Sequence, residues 1–209
     1  MRNILKSMAG VLALAVMVAT GSAAMAAPDG ETVGAVAVKD DDVFYGNADA
    51  PVTIVEYASL TCPHCANFHS QILPKLKEGP IAEGKARIIY RDFPLDGLAL
   101  RASALARCGG PDRRLAILDL LFESQAAWAR SKDPLAALAQ VGKLAGISEE
   151  ASMACMQDRG MFDRIIAEAQ EGEQKHKVRS TPSFVIDDQL FRGGLTAEDM
   201  IEVIDDRAN

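Results

Sequence analysis

The apolar positions of this chain come in blocks of two different periods. From Pro51 the pattern turns abruptly apolar, and Val52-Thr53-Ile54-Val55-Glu56-Tyr57, β-branched and aromatic, predicts a buried strand. Before it, residues 27–50 are polar and rich in Gly and Asp, which predicts a loose arm with a short strand near residues 33–38. After it, Phe68, Ile72, Leu73 and Leu76 recur at helical spacing over residues 66–77, with Pro74 placed to kink or break the helix. A second strand, Arg87-Ile88-Ile89-Tyr90-Arg91, is ended by Asp92-Phe93-Pro94. Residues 98–177 predict four or five helices, broken at Gly109-Gly110-Pro111, Asp133-Pro134, Gly146 and Gly160, with Ser148 an N-cap ahead of Glu149 and Glu150. Strand signals return at Ser183-Phe184-Val185-Ile186 and Leu190-Phe191-Arg192, and a last helix starts at Thr196. The order is β, α, β, a helical block, β, β, α. This predicts an α/β fold: one sheet-bearing domain from residues 27–97 and 178–209, interrupted by a contiguous helical insertion at 98–177.

The first residues follow a different logic. Arg2 and Lys6 precede an uncharged apolar run over residues 8–20, and Ala24-Met25-Ala26 fits the small-residue rule for cleavage after Ala26. The run is shorter than the roughly 20 residues that span a bilayer, so residues 1–26 read as a cleaved signal peptide. Export to the periplasm follows as the expected localisation. Asp and Glu number 29 against 22 Lys and Arg, a net charge of −7, and losing the leader removes two of the cations. Such an acidic chain is a poor partner for nucleic acid or an anionic membrane.

Four cysteines, Cys62, Cys65, Cys108 and Cys155, lie beyond the leader. In an oxidising compartment they read as two disulfides. Of the three pairings, the two-residue gap favours Cys62–Cys65, leaving Cys108 with Cys155 as a brace within the helical insertion. A strand running directly into Cys62-Pro63-His64-Cys65 at a helix start is the context of a thioredoxin-like redox motif. Disulfide exchange needs a reachable thiolate, whereas an ordinary cysteine, with a pKa of about 8.5, is mostly protonated at neutral pH. At a helix N-cap, Cys62 would meet unpaired backbone N–H groups and the positive end of the dipole. Pro63 suits the first helical position, which has no use for an N–H, and a protonated His64 would favour the thiolate further. Cys65, one turn further in, becomes the resolving thiol. A zinc site would want about four ligands, but the other histidines are only His69 and His176 and no second CxxC exists. No metal or diffusible cofactor is expected.

With these motifs in view, residues 43–206 resemble the DsbA family of bacterial disulfide oxidoreductases. The likeness rests on Asn47-Ala48-Asp49-Ala50-Pro51-Val52 leading into Glu56, on Cys62-Pro63-His64-Cys65, and on Thr181-Pro182. It implies a thioredoxin-like fold with a helical insertion, and a cis-proline loop at Thr181-Pro182 that offers backbone groups to an extended client. It implies that Glu56 is a buried acid assisting proton movement between the cysteines, with Arg91 a candidate partner. It also implies clients that are unfolded exported proteins with free cysteines, and a membrane redox partner that resets the enzyme. Thr181 departs from the best-known oxidase pattern, since threonine before the cis-proline also occurs among isomerase-type relatives. Those relatives carry an extra N-terminal dimerisation region that residues 27–46 are too few to build, so a monomer is expected. The alternatives are an isomerase or reductase of the same fold, or a non-redox chaperone or metal-binding module.

Overall fold

The computed structural model describes residues 30–208, so the leader read over residues 1–26 lies outside them. The strands are β1 (Glu31–Thr32), β2 (Val43–Gly46), β3 (Val52–Ala58), β4 (Ala86–Asp92), β5 (Ser183–Ile186) and β6 (Gln189–Arg192). They form one sheet in the order β1-β6-β5-β3-β4-β2, in which only the β3–β4 pair is parallel. Alternation along β3 sorts its side chains onto two faces. Val52 and Ile54 join Ile88, Phe184 and Ile186 on one, covered by Phe68 just beyond α1 (Pro63–Asn67) and by helices α2 (Leu73–Leu76) and α9 (Ala197–Ala208). Val55 and Tyr57 join Ile89, Val185 and Leu190 on the other. Thr196 caps α9 as read: its Oγ1 accepts from Asp199 N–H at 3.1 Å, and Asp199 returns the bond to Thr196 N–H at 2.8 Å.

Between β4 and β5 lie α3 (Gly97–Cys108), α4 (Pro111–Glu123), α5 (Gln125–Ala129), α6 (Pro134–Leu144), α7 (Glu149–Cys155) and α8 (Arg159–His176). Ala102, Leu105, Leu118, Leu121 and Trp128 of this block share one apolar core with Leu60, Cys62 and Cys65. The helical block therefore packs directly against the cysteine motif. Cys108 and Cys155, at the ends of α3 and α7, are joined by a disulfide with Cα atoms 6.2 Å apart. A bridge of this span contributes about 2–4 kcal/mol.

Three local expectations are corrected. No strand forms at residues 33–38, where Gly34 turns to φ +86°; the arm instead contributes β1, and β2 pairs with β4. The helical block has six helices rather than four or five, because the chain also breaks at Ser124, while Gly160 lies inside the first turn of α8 behind its N-cap Asp158. The helix after the cysteines does break near Pro74, but as a π-helical turn over Phe68–Ile72 that precedes α2; the chain then kinks at Gly79 (φ −101°, ψ −113°), just before Pro80. Around Pro74 the wider turn absorbs the missing proline N–H, and the helix runs on to the kink at Gly79.

Asp92, at the end of β4, fastens the block to the sheet. It is fully buried and accepts from Arg107 at 2.7 Å and Arg114 at 2.8 Å, while Glu168 of α8 accepts from Arg107 at 2.6 Å and from Asp92 N–H at 2.8 Å. Alpha-helix α8 approaches the sheet closely at Gly172, where an added Cβ would lie 2.5 Å from the Tyr57 ring. Removing one partner from a buried ionic cluster strands the others. Asp92→Ala is expected to cost about 3–5 kcal/mol in chemical denaturation; a loss below about 1 kcal/mol would show that the cluster is no brace.

Candidate active site

Beta-strand β3 delivers the chain to a short loop, and Cys62 occupies the N-cap of α1 with extended backbone (φ −81°, ψ 119°). Pro63 follows in the first turn, and Cys62 C=O accepts from the N–H groups of Cys65 at 3.1 Å and Ala66 at 3.2 Å. Pro63 and His64 are exposed, Cys62 is 6% exposed and Cys65 is fully buried. Both sulfurs are free thiols here. They differ sharply in acidity. A hydrogen bond from the Cys65 thiol, against the opposing effect of burial, and further donors from the Thr181 side chain and the backbone N–H groups of Cys65 and His64 bring Cys62 down to about 5. The part of His64 that acts on the sulfur is thus its backbone N–H. Cys65 goes the other way: burial first, then its bond to Cys62 and the charge of Glu56, push its pKa far up.

The Thr181–Pro182 peptide is cis, and the Thr181 carbonyl accepts from Cys62 Sγ at 3.3 Å across 119 residues of sequence. Thr181 Oγ1 is buried without another hydrogen-bond partner. That leaves it free to donate to a thiolate at Cys62. The helical block holds the loop from the other side: Gln125 Nε2 of α5 donates to Leu60 O at 2.8 Å and Cys62 O at 3.0 Å. Thr61 Oγ1 donates to Asp96 at 2.7 Å, and Asp96 in turn caps α3.

Glu56 is fully buried on β3, on the same face as Val52 and Ile54. Its partner is His69, whose Nε2 lies 3.2 and 3.1 Å from the two carboxylate oxygens. Arg91, the candidate partner in the sequence, turns elsewhere: it binds Asp42 at 2.7 Å and 3.0 Å and the carbonyl of Ala37 at 2.7 Å. Strand parity explains the difference. Arg91 stands in register with Tyr57, and Glu56 with Tyr90, so Arg91 and Glu56 face opposite sides of the sheet. His69, Gln125 and Asp96 were not singled out by the sequence; His69 alone carries a local signal, being one helical turn beyond Cys65. Among the described residues, no group of three or more His, Cys, Asp and Glu side chains is arranged to hold a metal ion.

The ultraviolet absorbance of the reduced protein's thiolate is expected to titrate with a midpoint near pH 5. The stability this lends the reduced fold is fully present above the ordinary thiol pKa and is lost as pH falls through about 5. Thr181→Val removes one donor to the thiolate and should raise the midpoint by about half to one pH unit. An unmoved midpoint would rule out the hydroxyl as a donor.

The family model described as thioredoxin matches residues 38–206. A Rickettsia bellii relative, provisionally named a protein-disulfide oxidoreductase, is 33% identical over 150 residues, covering 71% of this chain and 58% of that protein. The chain thus spans little more than half the length of the curated relatives at this level of identity. Among solved structures, Wolbachia pipientis alpha-DsbA1 superposes with a TM-score of 0.75 at 29% identity, covering 82% of this chain and 92% of the other. A protein-disulfide isomerase from Novosphingobium aromaticivorans gives 0.70 at 25% identity, covering 82% and 100%. With its strand–CPHC–helix junction, its cis-proline loop beside Cys62 and its helical block between β4 and β5, the chain belongs to the thioredoxin family and is DsbA-like within it.

Proposed function

We propose that the chain is a thiol:disulfide oxidoreductase that passes its Cys62–Cys65 disulfide to cysteine pairs of newly exported, unfolded proteins. The observation that carries this reading is the inequality of the two sulfurs: the Cys62 pKa is brought down to about 5, so that it is a thiolate at neutral pH, while burial keeps Cys65 protonated. Stabilising the Cys62 thiolate stabilises the reduced form, and a disulfide whose reduced form is stabilised is readily given away. In the first step a client thiolate attacks Cys62 Sγ; the S–S bond breaks and Cys65 leaves with the electron pair. A second client thiolate then attacks the client sulfur of the mixed disulfide, and Cys62 departs as the stabilised anion.

The surroundings of Cys62 suit an extended client. A cleft of about 390 Å³ runs beside it, lined by His64, Phe68, Pro182, Phe184 and Leu195 among others. The cis-proline loop would present backbone groups to the bound segment, and Glu56 would assist the protonation of Cys65. In this reading residues 1–26 direct export and are removed, the protein works in the periplasm as a monomer, and a membrane redox partner restores the disulfide. No described helix is long and apolar enough to cross a membrane. A second reading, disulfide isomerase or reductase, is favoured by Thr181 ahead of the cis-proline and by the likeness to the Novosphingobium protein-disulfide isomerase.

Oxidised protein mixed with a reduced dithiol peptide is expected to yield the peptide disulfide, with Cys62→Ser losing that yield entirely and Cys65→Ser trapping a mixed disulfide. Undiminished oxidation by Cys62→Ser would contradict the reading. Reactivation of a scrambled-disulfide substrate without added oxidant would move the assignment to the isomerase.

A further inference from the structure

The leaving group of the first exchange step creates a proton demand that the cysteine motif cannot meet. When the disulfide opens, Cys65 Sγ receives the electron pair in an apolar core, where a thiolate is strongly disfavoured. Glu56 lies on the same sheet face but is itself fully buried and has no access to water of its own. Its way out is His69. The His69 ring is nearly buried and stacks on Phe122 at 3.9 Å between ring centres and 20° between planes. Nε2 meets both oxygens of Glu56, while Nδ1 has no hydrogen-bond partner and points toward Asp119, whose Oδ1 is 3.9 Å away. Asp119 is half exposed, held by Tyr45 O–H at 2.7 Å and Lys77 Nζ at 3.3 Å. A cleft of about 570 Å³ opens at this point, with His69, Lys77, Asp119 and Phe122 in its wall. The π-helical turn over Phe68–Ile72 is what aims the histidine between the buried carboxylate and the cleft.

We propose that His69 is a positioning residue that carries protons between the solvent of this cleft and the buried Cys65, acting through Glu56. The inference rests on the disulfide-exchange reading. As the S–S bond breaks, the proton on His69 Nε2 passes to Glu56, and Glu56 protonates the departing Cys65 thiolate. That leaves His69 as the neutral tautomer with its proton on Nδ1, and the ring recharges by turning so that Nε2 takes a proton from water in the cleft beside Asp119. Nothing is consumed but the proton, and re-formation of the disulfide sends one back along the same path.

The groups facing His69 decide when it is loaded. Burial disfavours the imidazolium, but the Glu56 carboxylate on β3 and Asp119 on α4 outweigh it and hold the pKa above the ordinary histidine value of 6.5. Tyr90 on β4 lies edge-on at 6.2 Å, and Cys65 stands one turn earlier on α1. Tyr45 and Lys77 reach Asp119 rather than the ring. The relay therefore keeps its charge to higher pH than an ordinary histidine and empties as pH rises further.

The test follows reduction of the Cys62–Cys65 disulfide by a dithiol peptide across pH by acid quench and alkylation, with each rate divided by the peptide's thiolate fraction. For the wild type the corrected rate should fall on the alkaline side as His69 loses its proton. His69→Gln can still bond Glu56 but cannot carry a proton, so its rate should drop about tenfold at neutral pH and lose that limb. Asp119→Asn leaves the His69–Glu56 pair in place and should shift the limb to lower pH, which keeps the test open if His69→Gln fails to fold. A wild-type rate and limb in His69→Gln, or a limb unmoved in Asp119→Asn, would overturn the relay. A wild-type protein that exchanges no disulfide at all would instead bring down the reading on which the relay stands.

Discussion

A sulfur that can bear charge at the start of α1, one turn away from a sulfur that cannot, is the constraint to which the surrounding structure answers. The first requires donors and no backbone obstruction, which the N-cap position and Pro63 supply. The second requires an apolar enclosure, which the helical block supplies with Leu105, Leu118, Leu121 and Trp128. The two requirements pull the fold in opposite directions at sites three residues apart. Two remote segments reconcile them: the cis-proline loop reaches Cys62 from one side, and Gln125 grips the carbonyls of Leu60 and Cys62 from the other.

The insertion is therefore part of the chemistry as well as the architecture. It closes the apolar wall behind Cys65, ties down the loop before α1, and lends Asp119 and Phe122 to the environment of His69. Its own attachment depends on charge: Asp92 at the end of a buried strand gathers Arg107 and Arg114, and Glu168 completes the set. The Cys108–Cys155 bridge then secures α3 to α7 within the block.

Local chemistry made the motif legible in the sequence. A β-branched run, a CPHC tetrapeptide and a helical repeat are neighbours in the chain, and each element's propensity agrees with its place in the fold. Thr181-Pro182 was legible only through family resemblance, because nothing local says that it will meet a sulfur 119 residues earlier. The partner of Glu56 was misread for a different reason. Arg91 carries the right charge at the wrong parity, and strand alternation sends it to Asp42 on the far face. His69 lies one helical turn beyond Cys65, but nothing in the sequence marks the π-helical turn that aims its ring at Glu56. Short edge strands such as β2 escaped because their pairing with β4, and not their own four residues, makes them strands.

The inequality of the two sulfurs makes one quantity decisive: the reduction potential of Cys62–Cys65, measured by equilibrating the protein with glutathione buffers of known ratio. The account predicts a value near the roughly −120 mV of strongly oxidising exchangers, because the Cys62 thiolate stabilises the reduced form. A value near the roughly −270 mV of thioredoxin would contradict it and make the protein a reductant.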